Sequence, residues 1–103
     1  DVLINLDSDS VNYMKTMAVQ LRWNGNNQLL LAPKIAHGYA VLSDEARIHY
    51  KSNVYYGETM QTGVNWKSKV LINHWPQGNW IISENDSKLP LLNWFKLSWI
   101  PFE

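Results

Sequence analysis

Two tryptophans flank a polar turn in the second half of the chain, and their spacing points most directly to binding chemistry. Residues 73–80 read NHWPQGNW. Pro and Gly favour a turn over residues 76–79, which would place the two indoles face to face beside a hairpin tip. Indole faces can stack on the apolar face of a pyranose while amides bond its hydroxyls. The predicted ligand site consists of Trp75, Trp80, Asn73, His74, Gln77 and Asn79.

Two other interpretations of this tryptophan pair remain open. Two facing tryptophans commonly form a cross-strand pair that only stabilises a hairpin. Trp is also favoured at membrane interfaces, so the same tip could dock on a lipid surface as part of a toxin.

A second aromatic group lies near the end of the sequence. In a strand, Trp94 would point away from Phe95 and Trp99, so only one of the two indoles can face a shared core. The ordinary explanation is that one indole lies in the core and the other at a sheet edge. The main alternative is that these aromatic residues form an oligomer interface. The predicted interface residues are Trp94, Trp99 and Phe102.

Residue types that carry catalysis are present without a recognisable arrangement. The three histidines lack the spacing of a metal site, and no nucleophile elbow or glycine-rich phosphate loop occurs. Glu45, Glu58 and Glu84 could pair as in a glycosidase, but the sequence brings no two of them together. We therefore predict a protein that is not an enzyme, with no catalytic residue, metal or cofactor.

Two short polar segments have ordinary explanations. Residues 7–10, Asp-Ser-Asp-Ser, resemble the start of a calcium loop, but the later glycine and glutamate are missing. Helix capping or turn formation is the preferred interpretation. Asn85-Asp86-Ser87 is a glycosylation sequon, which matters only in a secreted eukaryotic protein.

Short strands joined by turns are expected to position these residues. Apolar and polar side chains alternate most clearly over 17–23 and 63–73, and Asn24-Gly25 is a hairpin signal. Residues 2–6 could add a strand, and Ser8 or Ser10 could cap a short helical turn through Lys15. The predicted strands cover 17–23, 28–31, 39–43, 46–51, 63–73, 80–83 and 91–99. The predicted fold is all-β: a small antiparallel β-sandwich or barrel, with an optional N-terminal helical turn.

Composition and charge limit the classes of function. A chain of 103 residues that is 46% hydrophobic and 17% charged is typical of one folded domain, here predicted to span residues 1–103. Nine basic residues balance nine acidic ones, so the basic field of a nucleic-acid binder is absent. Six Trp and five Tyr suit surfaces that contact water or a partner.

Features of the sequence bear on location in opposite directions. The absence of cysteine is ordinary for a cytosolic protein. The start at Asp1 rather than Met is consistent with a removed leader, and no apolar run approaches the roughly 20 residues of a membrane span. We expect a secreted, periplasmic or extracellular protein, with a cytoplasmic location still open.

One segment resembles a known family. Residues 41–46, leading into the alternating stretch 47–50, are similar to a strand segment of fungal immunomodulatory proteins. Those proteins are also cysteine-free, tryptophan-containing β-sandwich proteins. The resemblance covers this short stretch alone, so no function follows from it.

The sequence therefore predicts a non-enzymatic, lectin-like recognition domain that binds carbohydrate through exposed Trp and Asn side chains. The main alternative is a protein-interaction domain, such as an inhibitor, an immunity-type partner or an assembly subunit, using a sheet edge or the aromatic end. The partner is expected to be a carbohydrate or a protein, with a homo-oligomer as an option.

Overall fold

A computed structural model describes residues 1–25, 28–53 and 62–92 of the chain. Three strands come first along the chain: β1 (Val2–Asn5), β2 (Thr16–Ala18) and β3 (Ile35–Gly38). A 3-10 helix (Ile72–His74) and the single-turn helix α1 (Glu84–Ser87) follow. Within the described ranges, no helix has the length and apolar character needed to cross a membrane.

The three strands form one antiparallel sheet in the order β2-β1-β3. Leu3 in the central strand pairs with Met17 on one side and His37 on the other. Met14 and Lys34, which stand shortly before β2 and β3, have φ angles of 70° and 68°. Few non-glycine residues adopt this left-handed conformation, so these two positions mark the sharp reversals that bring the outer strands alongside β1.

The core lies on one face of the central strand. Val2, Ile4 and Leu6 alternate along the chain and are buried, as the two-residue period of a strand requires. Leu71 joins them from a distant part of the sequence. The partly buried hydrophobic residues packed around this cluster are Tyr13, Met14, Ala36, Val64, Trp75 and Leu92.

Residues 65–74 run through consecutive turns instead of forming the long strand that alternation predicted. The backbone N–H of Ser68 donates to Asn65, that of Leu71 to Ser68, and that of His74 to Leu71. The Asn65 side chain also accepts from the N–H of Lys67 at 3.0 Å. Asn and Ser compete for backbone groups in this way, which favours turns over a ladder. The turns carry Trp66 and Trp75 to the side of the sheet.

The prediction of a small β domain agrees with the antiparallel sheet, although the strands are shorter than expected, and the sandwich or barrel stays a prediction. Residues 2–6 do supply a strand, and 17–23 contributes only its first two residues to β2. Residues 28–31, 39–43, 46–51 and 80–83 are not strands, and residues 84–87, for which no helix was predicted, form helix α1. In the segment after β1, turns take the place of the suggested helical turn. The Asp7 carboxylate there accepts a hydrogen bond from the backbone N–H of Asp9.

The predicted interface residues Trp94, Trp99 and Phe102 lie outside the described residues, as does most of the strand expected at 91–99.

Candidate functional site

A half-open cavity of about 990 Å³ lies beside the sheet. Its wall includes Val2 and Ile4 of β1, all of β3, the segment that follows β3, and parts of the chain between Thr62 and Leu89. Ligand pockets of small molecules commonly occupy roughly 300–1,000 Å³, so this cavity suits a ligand at the larger end of that range.

Two tryptophans on the cavity wall hold each other in place. The rings of Trp66 and Trp75 meet edge to face, with centroids 6.4 Å apart and planes at 87°. The Trp75 Nε1–H donates to the Trp66 carbonyl oxygen at 3.0 Å. Trp75 also packs against the core, and a Cβ placed on Gly38 would lie 3.5 Å from its ring. Its indole is therefore part of the scaffold of the cavity.

Trp80 is held by the turn before it. Its Nε1–H donates to the Pro76 carbonyl oxygen at 2.8 Å, and its ring lies beside Gly78. Gly78 has a φ of 156°, which L residues rarely adopt, so a glycine suits this position. The turn predicted for residues 76–79 thus holds one indole by its own backbone.

The six predicted ligand-binding residues are not all on the cavity wall. Trp75, Trp80 and Asn79 line it. The Nε2 atom of His74 is instead 2.7 Å from the Thr16 hydroxyl, which joins the 3-10 helix to β2. Asn73 and Gln77 are exposed and are not on the wall. The expected face-to-face pair is replaced by the edge contact of Trp75 with Trp66, and the ligand-binding role of all six residues stays a prediction.

Titratable side chains gather on the same wall: His37, Tyr39, Asp44, Tyr50 and Asp86. Burial is the main cause that raises the pKa of Tyr39, and the nearby Tyr50 hydroxyl and Asp86 carboxylate add to the effect. Asp86 reaches this cluster from α1, whose first turn is capped by the Ser83 hydroxyl at 3.1 Å from the Asp86 N–H. The wall therefore offers two phenols beside a carboxylate.

His37 adds an imidazole to the cavity. Burial lowers its pKa, and the positively charged amino group of Asp1 lowers it further. The Asp1 carboxylate lies 3.3 Å from His37 Nδ1. A lowered pKa keeps the imidazole neutral near pH 7, so that one ring nitrogen can accept a hydrogen bond or a proton.

Phenols, a carboxylate and a neutral imidazole together can perform proton transfer, or can bind a polyhydroxylated ligand. Sequence reasoning missed these residues, because Tyr39, Tyr50 and Asp86 lie far apart along the chain and form no local motif. His37-Gly38-Tyr39 next to a strand is a weak signal that could have drawn attention to one part of the group.

Comparison with known proteins shows a family match and several similar curated proteins. A family model described as dTDP-4-dehydrorhamnose 3,5-epimerase matches residues 1–93. The chain is 34% identical to a dTDP-4-dehydrorhamnose 3,5-epimerase of Shigella flexneri, over 84% of this chain and 48% of that protein. The corresponding enzyme of Escherichia coli K12 is 33% identical, over 86% and 49%. No solved structure matches.

A relative with a narrower name also matches. It is a dTDP-4-dehydrorhamnose 3-epimerase of Streptomyces niveus, 29% identical over 89% of this chain and 44% of that protein. The chain thus spans about half the length of the curated relatives it matches.

These matches overturn several expectations drawn from the sequence. The prediction of a non-enzymatic, lectin-like recognition domain is wrong, as are its protein-interaction and membrane-docking alternatives, because the matched family and relatives are enzymes. The expected secreted, periplasmic or extracellular location, which was inferred from the start at Asp1, is wrong as well, because the matched family and relatives are sugar-nucleotide epimerases and not exported recognition proteins. The short resemblance to fungal immunomodulatory proteins is superseded by a match over nine-tenths of the chain.

Proposed function

Because this chain belongs to the dTDP-4-dehydrorhamnose 3,5-epimerase family, we propose that it forms part of an epimerase acting on a dTDP-linked 4-keto sugar. The observation that carries the proposal is the family match across residues 1–93. The cavity supports it, because its wall combines proton-transfer groups with aromatic side chains.

The name of the reaction defines the chemistry that the site must perform. A 4-dehydro sugar has a carbonyl at C4, which acidifies the hydrogens on C3 and C5. A base removes one of these protons, the C–H electron pair becomes part of an enolate, and an acid returns a proton to the opposite face of the carbon. Such a site needs an acid, a base and a hydrogen-bond donor near the C4 oxygen.

Tyr50 is our candidate for the proton donor. It lines the cavity with a largely exposed side chain, so its phenol is open to a ligand. Tyr39 lies beside it with a raised pKa, and a phenol that keeps its proton can donate a hydrogen bond to the enolate oxygen. Asp86 is the neighbouring carboxylate, suited to accept a proton or to orient the group that does. His37 is assigned to hydrogen bonding with the substrate.

We further propose that the three-stranded sheet is part of an antiparallel sandwich or barrel, and that residues 1–103 act as one domain. Among the residues that the structure describes, one buried cluster joins β1 to Leu71, which supports one domain. The alternating burial along β1 supports a sheet that is covered on one face.

Solvent exchange tests the proposed activity directly. The purified chain is incubated in D₂O with dTDP-4-dehydrorhamnose, and deuterium at C3 and C5 is followed by NMR. We expect exchange above the buffer rate at C3, and exchange at C5 as well if the chain acts as a 3,5-epimerase rather than a 3-epimerase. Tyr50→Phe should slow formation of the epimerised sugar, followed in the same NMR spectra, by about 100-fold or more, because a general acid typically contributes that much. Exchange alone is not the readout for Tyr50, because it needs only the base.

Tyr13→Phe is the matched control, because Tyr13 packs against the core and is not on the cavity wall. It should exchange at the wild-type rate. A folded wild-type chain that shows no exchange above buffer contradicts the proposed function. Equal rates of epimerisation for Tyr50→Phe and wild type contradict the role of Tyr50.

A further inference from the structure

Two phenols on the cavity wall are in contact with each other. Tyr39 and Tyr50 both line the cavity, and a hydrogen bond joins their side chains. On the basis of the proposed function, we propose that Tyr39 is a positioning residue, whose hydroxyl donates to the Tyr50 oxygen and holds that phenol ready to protonate the substrate. Tyr39 thus acts on the reaction through Tyr50 and transfers no proton itself.

The hydrogen bond between the two phenols has a definite direction. Burial is the largest cause that raises the pKa of Tyr39, and the charge of Tyr50 and the hydrogen bond to it raise that pKa further. A hydrogen bond raises the pKa of a phenol when it stabilises the neutral form, which is the form with a proton to donate. Tyr39 is therefore the donor and the Tyr50 oxygen is the acceptor. Because a phenol has one proton, this bond leaves the Tyr50 O–H free for the substrate.

The backbone around the two phenols differs in a way that lets Tyr39 anchor Tyr50. Tyr39 directly follows β3, which pairs with β1 along its whole length up to Gly38. Tyr50 lies in a stretch that is neither strand nor helix, and it is 71% exposed against 48% for Tyr39. A largely exposed side chain on irregular backbone keeps several rotamers, so a bond to an anchored neighbour restricts it. Restricting the acid before the substrate arrives favours the reaction.

The same bond also stabilises the charge that forms on Tyr50. When Tyr50 protonates the enolate carbon, its O–H bond breaks, the enolate electron pair forms the new C–H bond, and the C4 carbonyl is restored. The O–H electron pair stays on the Tyr50 oxygen as a phenolate, which solvent water later protonates. A hydrogen bond to a charged oxygen is stronger than one to a neutral oxygen. The Tyr39 hydroxyl therefore favours the transition state over the resting state.

A double-mutant cycle with dTDP-4-dehydrorhamnose tests whether Tyr39 acts through Tyr50. Tyr39→Phe removes only the hydroxyl, and it should lower kcat for epimerisation by about 10-fold or more with KM nearly unchanged. Deuterium exchange, which needs only the base, should stay near the wild-type rate. In a chain that already carries Tyr50→Phe, the further change Tyr39→Phe should have no effect on epimerisation, because its target is gone.

Tyr13→Phe is the matched control, since Tyr13 packs against the core and is not on the cavity wall. It should react as wild type, and urea unfolding should show that Tyr39→Phe remains folded. An unchanged kcat in Tyr39→Phe overturns the positioning role. An equal fall of exchange and epimerisation overturns it as well, and so do fully additive effects of the two substitutions, which would place Tyr39 directly on the substrate.

A measurement without substrate separates this inference from the proposed function. Tyrosine labelled with carbon-13 at Cζ reports the ionisation of each phenol by NMR, and loss of a signal in Tyr39→Phe identifies Tyr39. Its pKa should fall in Tyr50→Phe, because Tyr50 is one of the causes that raise it. This fall together with no exchange in wild type overturns the proposed function and leaves the hydrogen bond standing. An unchanged pKa of Tyr39 in Tyr50→Phe overturns the contact, whether or not the chain is active.

Discussion

At the scale of single residues, the imidazole of His37 lies within reach of two groups of opposite charge on one neighbour. The Asp1 carboxylate is 3.3 Å from Nδ1 and would favour the protonated ring. Burial and the Asp1 amino group act in the other direction, and their combined effect lowers the pKa. His37 is thus a neutral hydrogen-bonding group near pH 7, and protonation costs the folded state more than the unfolded chain.

The pH dependence of stability should report this difference. The unfolded chain takes up a proton at His37 near pH 6.5, while the folded state takes it up at lower pH. The folded state therefore binds fewer protons in this window, and the free energy of unfolding falls as the pH is lowered below about 6.5. Urea unfolding between about pH 5 and pH 8 should show a shallower fall for His37→Gln than for wild type.

His49→Gln provides the comparison, because His49 is exposed and not on the cavity wall. It should keep the wild-type dependence. An identical fall in His37→Gln and wild type would show that His37 protonation does not oppose folding.

The residue types of this site were visible in the sequence, but their assembly was not. Trp75 and Trp80 could be selected as candidate ligand-binding residues, because a turn signal lay between them; the structure places both on the cavity wall, and their binding role stays a prediction. Their surroundings differ in the acceptor of the indole N–H. Trp75 donates to the Trp66 carbonyl oxygen, and Trp80 donates to the Pro76 carbonyl oxygen. Tyr39, Tyr50 and Asp86 meet only through the fold, so no spacing rule could find them.

At the scale of elements, one hydroxyl joins the turns after residue 65 to the end of the described chain. Ser68 is 1% exposed, and its Oγ–H donates to the Asn65 carbonyl at 2.5 Å. The same oxygen accepts the N–H of Leu92 at 2.8 Å. Its own backbone carbonyl accepts from Leu71 and Ile72, so this serine also fixes the start of the 3-10 helix.

Removing that hydroxyl should destabilise the chain. Ser68→Ala leaves the Leu92 N–H without its acceptor in a partly buried position, which typically costs about 1–3 kcal/mol. Urea unfolding measures the loss. Ser87→Ala is the matched control, since the Ser87 hydroxyl also donates to a backbone carbonyl, but in an exposed turn of α1. Equal losses in the two variants would rule out a special role for the buried serine.

Elements of this fold were predictable where burial follows a strict period. The alternation of Val2, Ile4 and Leu6 matches the observed burial along β1. The alternation over 63–73 is misleading, because the backbone N–H groups of this segment donate hydrogen bonds to Asn65 and Ser68 within local turns and not to a neighbouring strand. Period-two patterning states which side chains share a face, but a strand also needs a neighbour to pair with.

At the scale of the whole molecule, the buried hydrophobic residues of the described chain number four: Val2, Ile4, Leu6 and Leu71. Ile4 is 2% exposed and lies between Val2 of the same strand and Leu6, which follows the strand directly. With so small a cluster, each member carries a large share of the packing energy, because a domain is stabilised by only about 5–15 kcal/mol in total.

Truncation at the centre of the core should therefore bring the chain close to unfolding. Ile4→Ala is expected to lower the free energy of unfolding by about 2–5 kcal/mol, through lost burial and a cavity. Ile81→Ala makes the same change at a fully exposed position and should stay within about 0.5 kcal/mol of wild type. Thermal unfolding by circular dichroism compares the two, and similar melting temperatures would contradict the core assignment.

The surface of the described chain carries large apolar side chains in open water, among them Val11, Trp23 and Leu30 at 95%, 98% and 97% exposure. The protein also has equal numbers of acidic and basic residues and an isoelectric point near 7.0. Neutral molecules with apolar contact points do not repel one another, so colloidal attraction is greatest near neutral pH. Above the isoelectric point the molecules carry the same negative charge and repel one another, so we expect the protein to stay dispersed best in dilute samples at such a pH.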